Sequence, residues 1–172
     1  MPRARRPTRH EPAAASTRLG GLTERALAAL VPPQVHKRGV DYCRRGAVVD
    51  IAWRGDVLHA AVQGSDYEPY RVMARARGDR IEATCDCPYG EEWGGWCKHV
   101  VATLLVAIRG GDDVPTRPTI PELVAPLDRQ ALVRVLEEMV AEAPELYELV
   151  ELVLADRAPP RGGRRGGAFT EP

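Results

Sequence analysis

The chain has 172 residues, with 24 Lys and Arg against 24 Asp and Glu. The length fits one ordinary domain or a small domain with an appendage, and the zero net charge excludes a wholly basic DNA-coating protein. The longest apolar run, Val100 to Ile108, is nine residues, where a membrane helix needs about 20. The N-terminus is Arg-rich but has no apolar segment of the kind that marks a secretory signal, so no membrane association and a reducing cytoplasm are expected. Aromatic residues are only 5%, which leaves Val, Leu, Ile and Ala to build the core. The cations are 22 Arg and 2 Lys, a bias of composition that weakens any argument from counting arginines.

The neutral balance hides segregation along the chain. Residues 1–20 and 157–172 are Arg-rich, with Pro, Gly and Ala and almost nothing to bury. Such segments cannot offset the entropy of ordering and are expected to be disordered basic tails. They serve either as solubilising tails or as non-specific contacts to nucleic acid. Residues 128–156 lean the other way, with eight acids against Arg129 and Arg134. That block would repel a phosphate backbone.

Between the tails, Thr23 can cap a short helix ending before Pro32-Pro33, and a second helix is predicted over Val35 to Arg44, closed by Gly46. The period then changes to two. Val49, Ile51 and Trp53 are expected on one strand face, Arg54-Gly55-Asp56 forms a turn, and Leu58, Ala60 and Val62 alternate on the next strand. From Tyr70 to Arg77 the alternation is cleanest, and Gly78-Asp79 signals a two-residue hairpin loop. That loop sets Arg77 opposite Arg80, Ala76 opposite Ile81 and Arg75 opposite Glu82, the last a favourable cross-strand pair. Arg71, Arg77 and Arg80 are left as a like-charged surface, which is either a solvated sheet face or a contact surface. A helix follows over residues 97–109, with Gly110 as its left-handed cap. Beyond a linker from Gly110 to Pro121, Asp128 caps a helix carrying Leu132, Val135, Leu136, Met139 and Val140. Pro144 breaks it and opens another carrying Leu146, Leu149, Val150 and Val153. The two apolar faces suggest an acidic helical hairpin.

The chemistry-bearing stretch is Cys85-Asp86-Cys87-Pro88 followed by Cys97-Lys98-His99. Zn²⁺ takes four Cys or His donors in a tetrahedron at about 2.0 to 2.3 Å. Two close pairs joined by a loop are how one chain supplies them. Residues i and i+2 of a regular strand point to opposite faces, so Cys85 and Cys87 can both bind only if the strand ends, which Pro88 favours. A disulfide is disfavoured by C-x-C strain and by the expected reducing compartment. A closed four-ligand site also leaves neither the open position of a catalytic zinc nor a free nucleophile. One structural Zn²⁺ on Cys85, Cys87, Cys97 and His99 is therefore expected, with Cys43 outside the site as a small buried residue. Trp93 and Trp96 lie in the loop between the pairs. An aromatic there can stack on a base, enter a protein pocket or, for Trp96, pack over the zinc site.

These residues resemble the SWIM-type zinc finger family. The shared pattern is C-x-C, Cys-Pro, then Cys-Lys-His-Val opening an apolar helix. Upstream, Arg38-Gly39, Tyr42, Gly46 and Val48, and then Gly64-Ser65, fit the stretch that often precedes such fingers. Leu127-Asp128-Arg129 and Pro144-Glu145-Leu146 resemble the helices that often follow in bacterial members. The resemblance implies a ββα finger that binds zinc, and DNA or protein partners, beside helicase-like ATPases in some members. This chain has no G-x-x-x-x-G-K-[ST] phosphate loop, so any such motor is another polypeptide.

The expected architecture is α+β. A small antiparallel sheet leads into a ββα-like finger (residues 21–112, finger core 70–109), followed by an acidic helical hairpin (113–156). The expected role is that of a non-enzymatic adaptor with no small-molecule substrate. It would bind nucleic acid, DNA or RNA, through Arg71, Arg77, Arg80, Lys98 and Trp93, or a protein partner such as a helicase-like ATPase, or both. A pure protein-interaction module is the alternative.

Overall fold

The alternating stretches fold as four strands: β1 (Val48–Arg54), β2 (Val57–Val62), β3 (Tyr70–Arg77) and β4 (Arg80–Cys85). They form one antiparallel sheet in the order β1-β2-β3-β4. The computed structural model describes residues 17–93 and 96–157, and the chain divides into two units, Met1–Thr119 and Ile120–Pro172. The predicted tails lie outside the described residues, apart from 17–20 and Arg157.

In the first unit, α1 (Glu24–Leu30) is capped by Thr23, whose hydroxyl accepts the Ala26 N–H at 3.2 Å. The next helix, α2 (Pro33–Arg44), has Pro33 at its first position, where a missing N–H costs nothing. The short α3 (Pro88–Trp93) and the longer α4 (Lys98–Gly110) complete the unit. The inner sheet face (Trp53, Leu58, Ala60, Val62, Val72, Ala74) packs on α4, and α2 packs on the other side of α4. Enclosed this way, nine of the thirteen residues of α4 are buried. The approach of α2 to α4 is so close that a Cβ on Gly39 would collide with the Val101 side chain.

The β3–β4 hairpin has the predicted register, with Arg77 opposite Arg80, Ala76 opposite Ile81 and Arg75 opposite Glu82. Gly78 takes φ +61°, the left-handed conformation that its place in a two-residue loop demands. Arg75 and Glu82 form the expected ion pair at 2.8 Å.

Four expectations are corrected in this unit. Gly110 is the last helical residue of α4, and the cap with positive φ, +49°, is Gly111. Val49 does not share a face with Ile51 and Trp53. A bulge shifts the register between Val48 and Asp50, and Val49 is 57% exposed. Residues 17–20 do not belong to a structureless tail: Thr17–Leu19 forms a 3₁₀ turn and Leu19 is 1% exposed, inside the core. Nor does the unit end at residue 112. Val114 is buried, and the segment after it runs parallel along the free edge of β1, with the Trp53 N–H bonded to Pro115 O and the Arg117 N–H to Trp53 O, both at 2.8 Å. Arg117 then clamps Asp50 through two hydrogen bonds of 2.7 and 2.6 Å, so the division falls after Thr119.

The second unit holds α5 (Ile120–Val124), a turn that falls inside the predicted linker and hairpin region, then α6 (Arg129–Glu142) and α7 (Leu146–Arg157). Asp128 caps α6, its carboxylate accepting the Ala131 N–H at 2.7 Å. Helices α6 and α7 pack on each other as the predicted hairpin. Leu132, Val140, Leu146 and Val150 become half-buried, and no described residue of this unit is buried. No helix among the described residues is long and apolar enough to cross a membrane.

Candidate metal centre

The hairpin delivers the first ligand pair. Cys85 is the last residue of β4. Asp86 prolongs the ladder by one step: its N–H bonds Arg71 O at 3.2 Å and its carboxylate accepts the Arg71 N–H at 2.7 Å. The chain then leaves the sheet into α3, which turns Cys87 back beside Cys85. The Cys87 sulfur accepts the Gly90 N–H at 3.3 Å, and a Cβ on Gly90 would strike the Cys85 carbonyl. The second pair is fixed by α4, with Cys97 at the N-cap and His99 in the first turn.

The four donor atoms lie within 4.8 Å of one another, and all four residues are buried. His99 Nδ1 stands 3.6 Å from Cys85 Sγ and 3.7 Å from Cys97 Sγ. A tetrahedral ion with bonds of about 2.3 Å to sulfur and about 2.0 Å to nitrogen needs an N–S edge of about 3.5 Å. The thiols titrate as a group. The hydrogen bond from Cys85 holds the Cys97 thiol down at about 4, against burial and with help from His99. The same contact pushes Cys85 up, and burial pushes Cys87 up. Sulfurs this close cannot all be thiolates unless a cation shares their charge, and Zn²⁺ binds Cys in that form. Donor type, spacing and enclosure fit one Zn²⁺.

Around the donors the packing is aromatic. Tyr70 stacks on the His99 ring at 4.7 Å with 29° between planes, and Tyr42 meets it edge-on at 5.3 Å. Gly64 makes the Tyr70 stack possible, since a Cβ there would collide with the Tyr70 ring and lie 3.3 Å from His99 Nε2. Gly39, Tyr42 and Gly64 of the upstream motif thus act on the finger through packing. Trp96 is half-buried against the core. Cys43 lies outside the cluster, half-buried, with Arg109 donating to its sulfur at 3.3 Å.

The expected nucleic-acid residues are not gathered into one free basic patch. Arg71 is exposed beside Asp66, Glu68 and Asp86. Arg77 shares Glu82 with Arg75, at 3.9 Å, so it is not partnerless as the sequence suggested. Arg80 borders an apolar groove with Leu22, Leu30 and Trp96. Lys98 turns to Tyr42, its ammonium 4.9 Å from the ring centroid, with Arg45 on the same ring at 3.8 Å. Burial alone would raise the Tyr42 phenol, but Lys98 and Arg45 outweigh it and lower it. Trp93 ends α3, and its side chain lies outside the described part.

Sequence reasoning missed a basic surface. On α2 and its cap, Lys37, Arg38, Arg44 and Arg45 are exposed on one side of the helix, with Asp41 as the lone acid. The signal was present: at 3.6 residues per turn these positions share an arc of about a third of the helix. Arg38 and Lys98 also border a cavity of about 250 Å³ beside the metal ligands.

Residues 70–108 match the SWIM zinc finger family, a span from the first residue of β3 to the last turn of α4. The chain therefore carries a SWIM zinc finger, with its Cys3His set on the hairpin and helix just described. No curated protein and no solved structure matches the chain.

Proposed function

We propose that this SWIM zinc finger chain is a non-enzymatic, cytoplasmic adaptor that binds the phosphate backbone of nucleic acid through the exposed face of α2. The observation that carries the reading is the set Lys37, Arg38, Arg44 and Arg45, opposed on that helix only by Asp41. The zinc has a structural role: four protein donors close its coordination and leave no position for substrate. By tying β4 to α4, the metal holds the layer against which α2 packs, so metal loading supports the cationic face.

The test is oligonucleotide binding by the zinc-loaded chain over a range of salt. Each phosphate contact contributes about 0.7 to 0.9 to the slope of log K against log salt. The triple variant Lys37→Gln/Arg38→Gln/Arg44→Gln should flatten that slope and weaken all sequences alike. The Arg71→Ala/Arg77→Ala/Arg80→Ala variant should do little. The reverse result returns the contact to the sheet, and no oligonucleotide binding at all rejects the reading.

A protein partner is the second reading, favoured by the apolar side chains left exposed on α6 and α7, among them Leu136, Met139, Leu149 and Leu152. A helicase-like ATPase supplied by another polypeptide suits this role, since the chain lacks a phosphate loop of its own.

A further inference from the structure

We infer that the cavity beside the metal centre receives a single unpaired nucleobase, so that the ligand of the α2 face is single-stranded nucleic acid. The inference rests on the phosphate-binding reading above and names the form of nucleic acid that reading leaves open.

The cavity measures about 250 Å³, below the roughly 300 to 1,000 Å³ typical of pockets for drug-sized ligands and suited to one ring system. Two tyrosines, Tyr70 and Tyr89, stand in its lining. Tyr70 is clamped by its stack on His99 and by the hydrogen bond from its hydroxyl to Asp66 at 3.3 Å. Tyr89, in the first turn of α3, keeps 47% of its surface exposed although it lines the cavity. The metal ligands Cys87, Cys97 and His99 form part of the lining. Arg38 and Lys98 are its two cationic residues, and Ser65 adds a hydroxyl. Arg38 belongs both to this rim and to the exposed α2 face.

Aromatic walls with adjoining cations are the elements by which proteins hold unstacked bases. The aromatic face takes the ring, and the cations take the neighbouring phosphate. A duplex could use the cavity only by extruding a base, at the cost of unpairing and unstacking it. Asp66, Glu68 and Asp86 border a neighbouring depression around Arg71 that shares Tyr70 with the cavity, and their charge repels phosphate on that side. That sets the backbone path along α2 and away from that loop.

The experiment uses the zinc-loaded full chain and three probes: a 12-nucleotide single strand carrying 2-aminopurine, its duplex, and a single strand of equal length with abasic sites. The single strand should bind more tightly than the abasic strand by at least about fivefold, as expected for one stacked base, with a change in 2-aminopurine fluorescence on binding. Tyr89→Ala should remove that margin and leave zinc content, the salt slope and abasic-strand binding unchanged. Tyr89→Phe should restore it. Equal binding of intact and abasic strands with a normal salt slope would overturn the base cavity and leave the phosphate reading standing. A margin that survives Tyr89→Ala would also overturn it. Binding of none of the three probes would overturn both.

Discussion

Leu104 in α4 is fully buried, whereas Leu152 in α7 is 67% exposed. The two helices are of similar length, 13 and 12 residues, and both are rich in aliphatic side chains. The difference lies in what surrounds them. Helix α4 has the sheet on one side and α2 on the other, and its first turn is tied to β4 by a metal site. Helix α7 has α6, and the described residues of the second unit leave eleven large apolar side chains exposed between Ile120 and Leu154. Enclosure, more than hydrophobicity, separates the two units. A segment of a few dozen residues cannot enclose its own apolar surface without a metal, a disulfide or a partner. The first unit has a metal site, and the second, among its described residues, has its helices alone.

The most severe way to break this contrast is to remove a ligand. Cys85→Ser or His99→Ala should abolish stoichiometric zinc binding and collapse the cooperative transition of the first unit, because a structural site's binding energy is folding energy. Cys43→Ser should leave zinc content at one per chain. Metal analysis and calorimetry check both, and zinc loss with Cys43→Ser alone would refute the ligand assignment.

Truncating side chains sharpens the contrast. Leu104→Ala should cost about 2 to 5 kcal/mol, the usual range for a filled core site. Leu152→Ala should stay within about 0.5 kcal/mol, as for an exposed position. Gly39→Ala should cost about 1 to 3 kcal/mol by forcing α2 off Val101. Denaturant titrations measure all three, and a Leu152→Ala cost equal to that of Leu104→Ala would mean that α7 has a buried face.

The sequence displayed the parts whose rules are local. A two-residue loop dictates its hairpin register, so Arg75 could be paired with Glu82 before any coordinates. Four soft donors in close pairs identify their metal. The features that stayed hidden depend on distant neighbours. Leu19 sits between Arg18 and Gly20-Gly21 and reads as tail, yet the fold buries it in the core. Pro115 and Pro118 read as linker, although the backbone between them continues the sheet along β1. The bulge at Val49 keeps the same residue types and changes only which face they meet. Lys98 was expected to meet nucleic acid, and nothing in the sequence says that Tyr42 lies beside it.

A smaller effect comes from His59 on the outer sheet face, opposite Met73. Burial, then the neighbouring Arg54, depresses its imidazole below the usual value. The unfolded chain therefore binds the proton more readily than the fold does. Stability from this residue is complete above about pH 6.5, its unfolded value, and declines as pH falls toward the folded value. Comparing His59→Gln with the unaltered chain at matched zinc content should show the difference only on the acid side. A constant offset across pH would assign His59 a packing role alone.

The smallest expected effect is none. A chain ending at Thr119 should keep one zinc and the same main thermal transition, because every buried apolar residue among those described lies between Leu19 and Val114. The cut after Thr119 preserves the Arg117–Asp50 clamp and the strand-like pairing of Pro115 and Arg117 with Trp53. A cut at residue 112, where composition alone would place the boundary, removes both and uncovers the Val114 site in the core. It should lower the transition while leaving the ligands intact. Calorimetry of the two shortened chains thus tests the boundary itself. Equal melting of both would show that the edge pairing contributes nothing. A loss of stability on cutting at Thr119 would show that the acidic helices share in the core of the first unit, and the contrast between enclosed and exposed leucines would no longer separate two units.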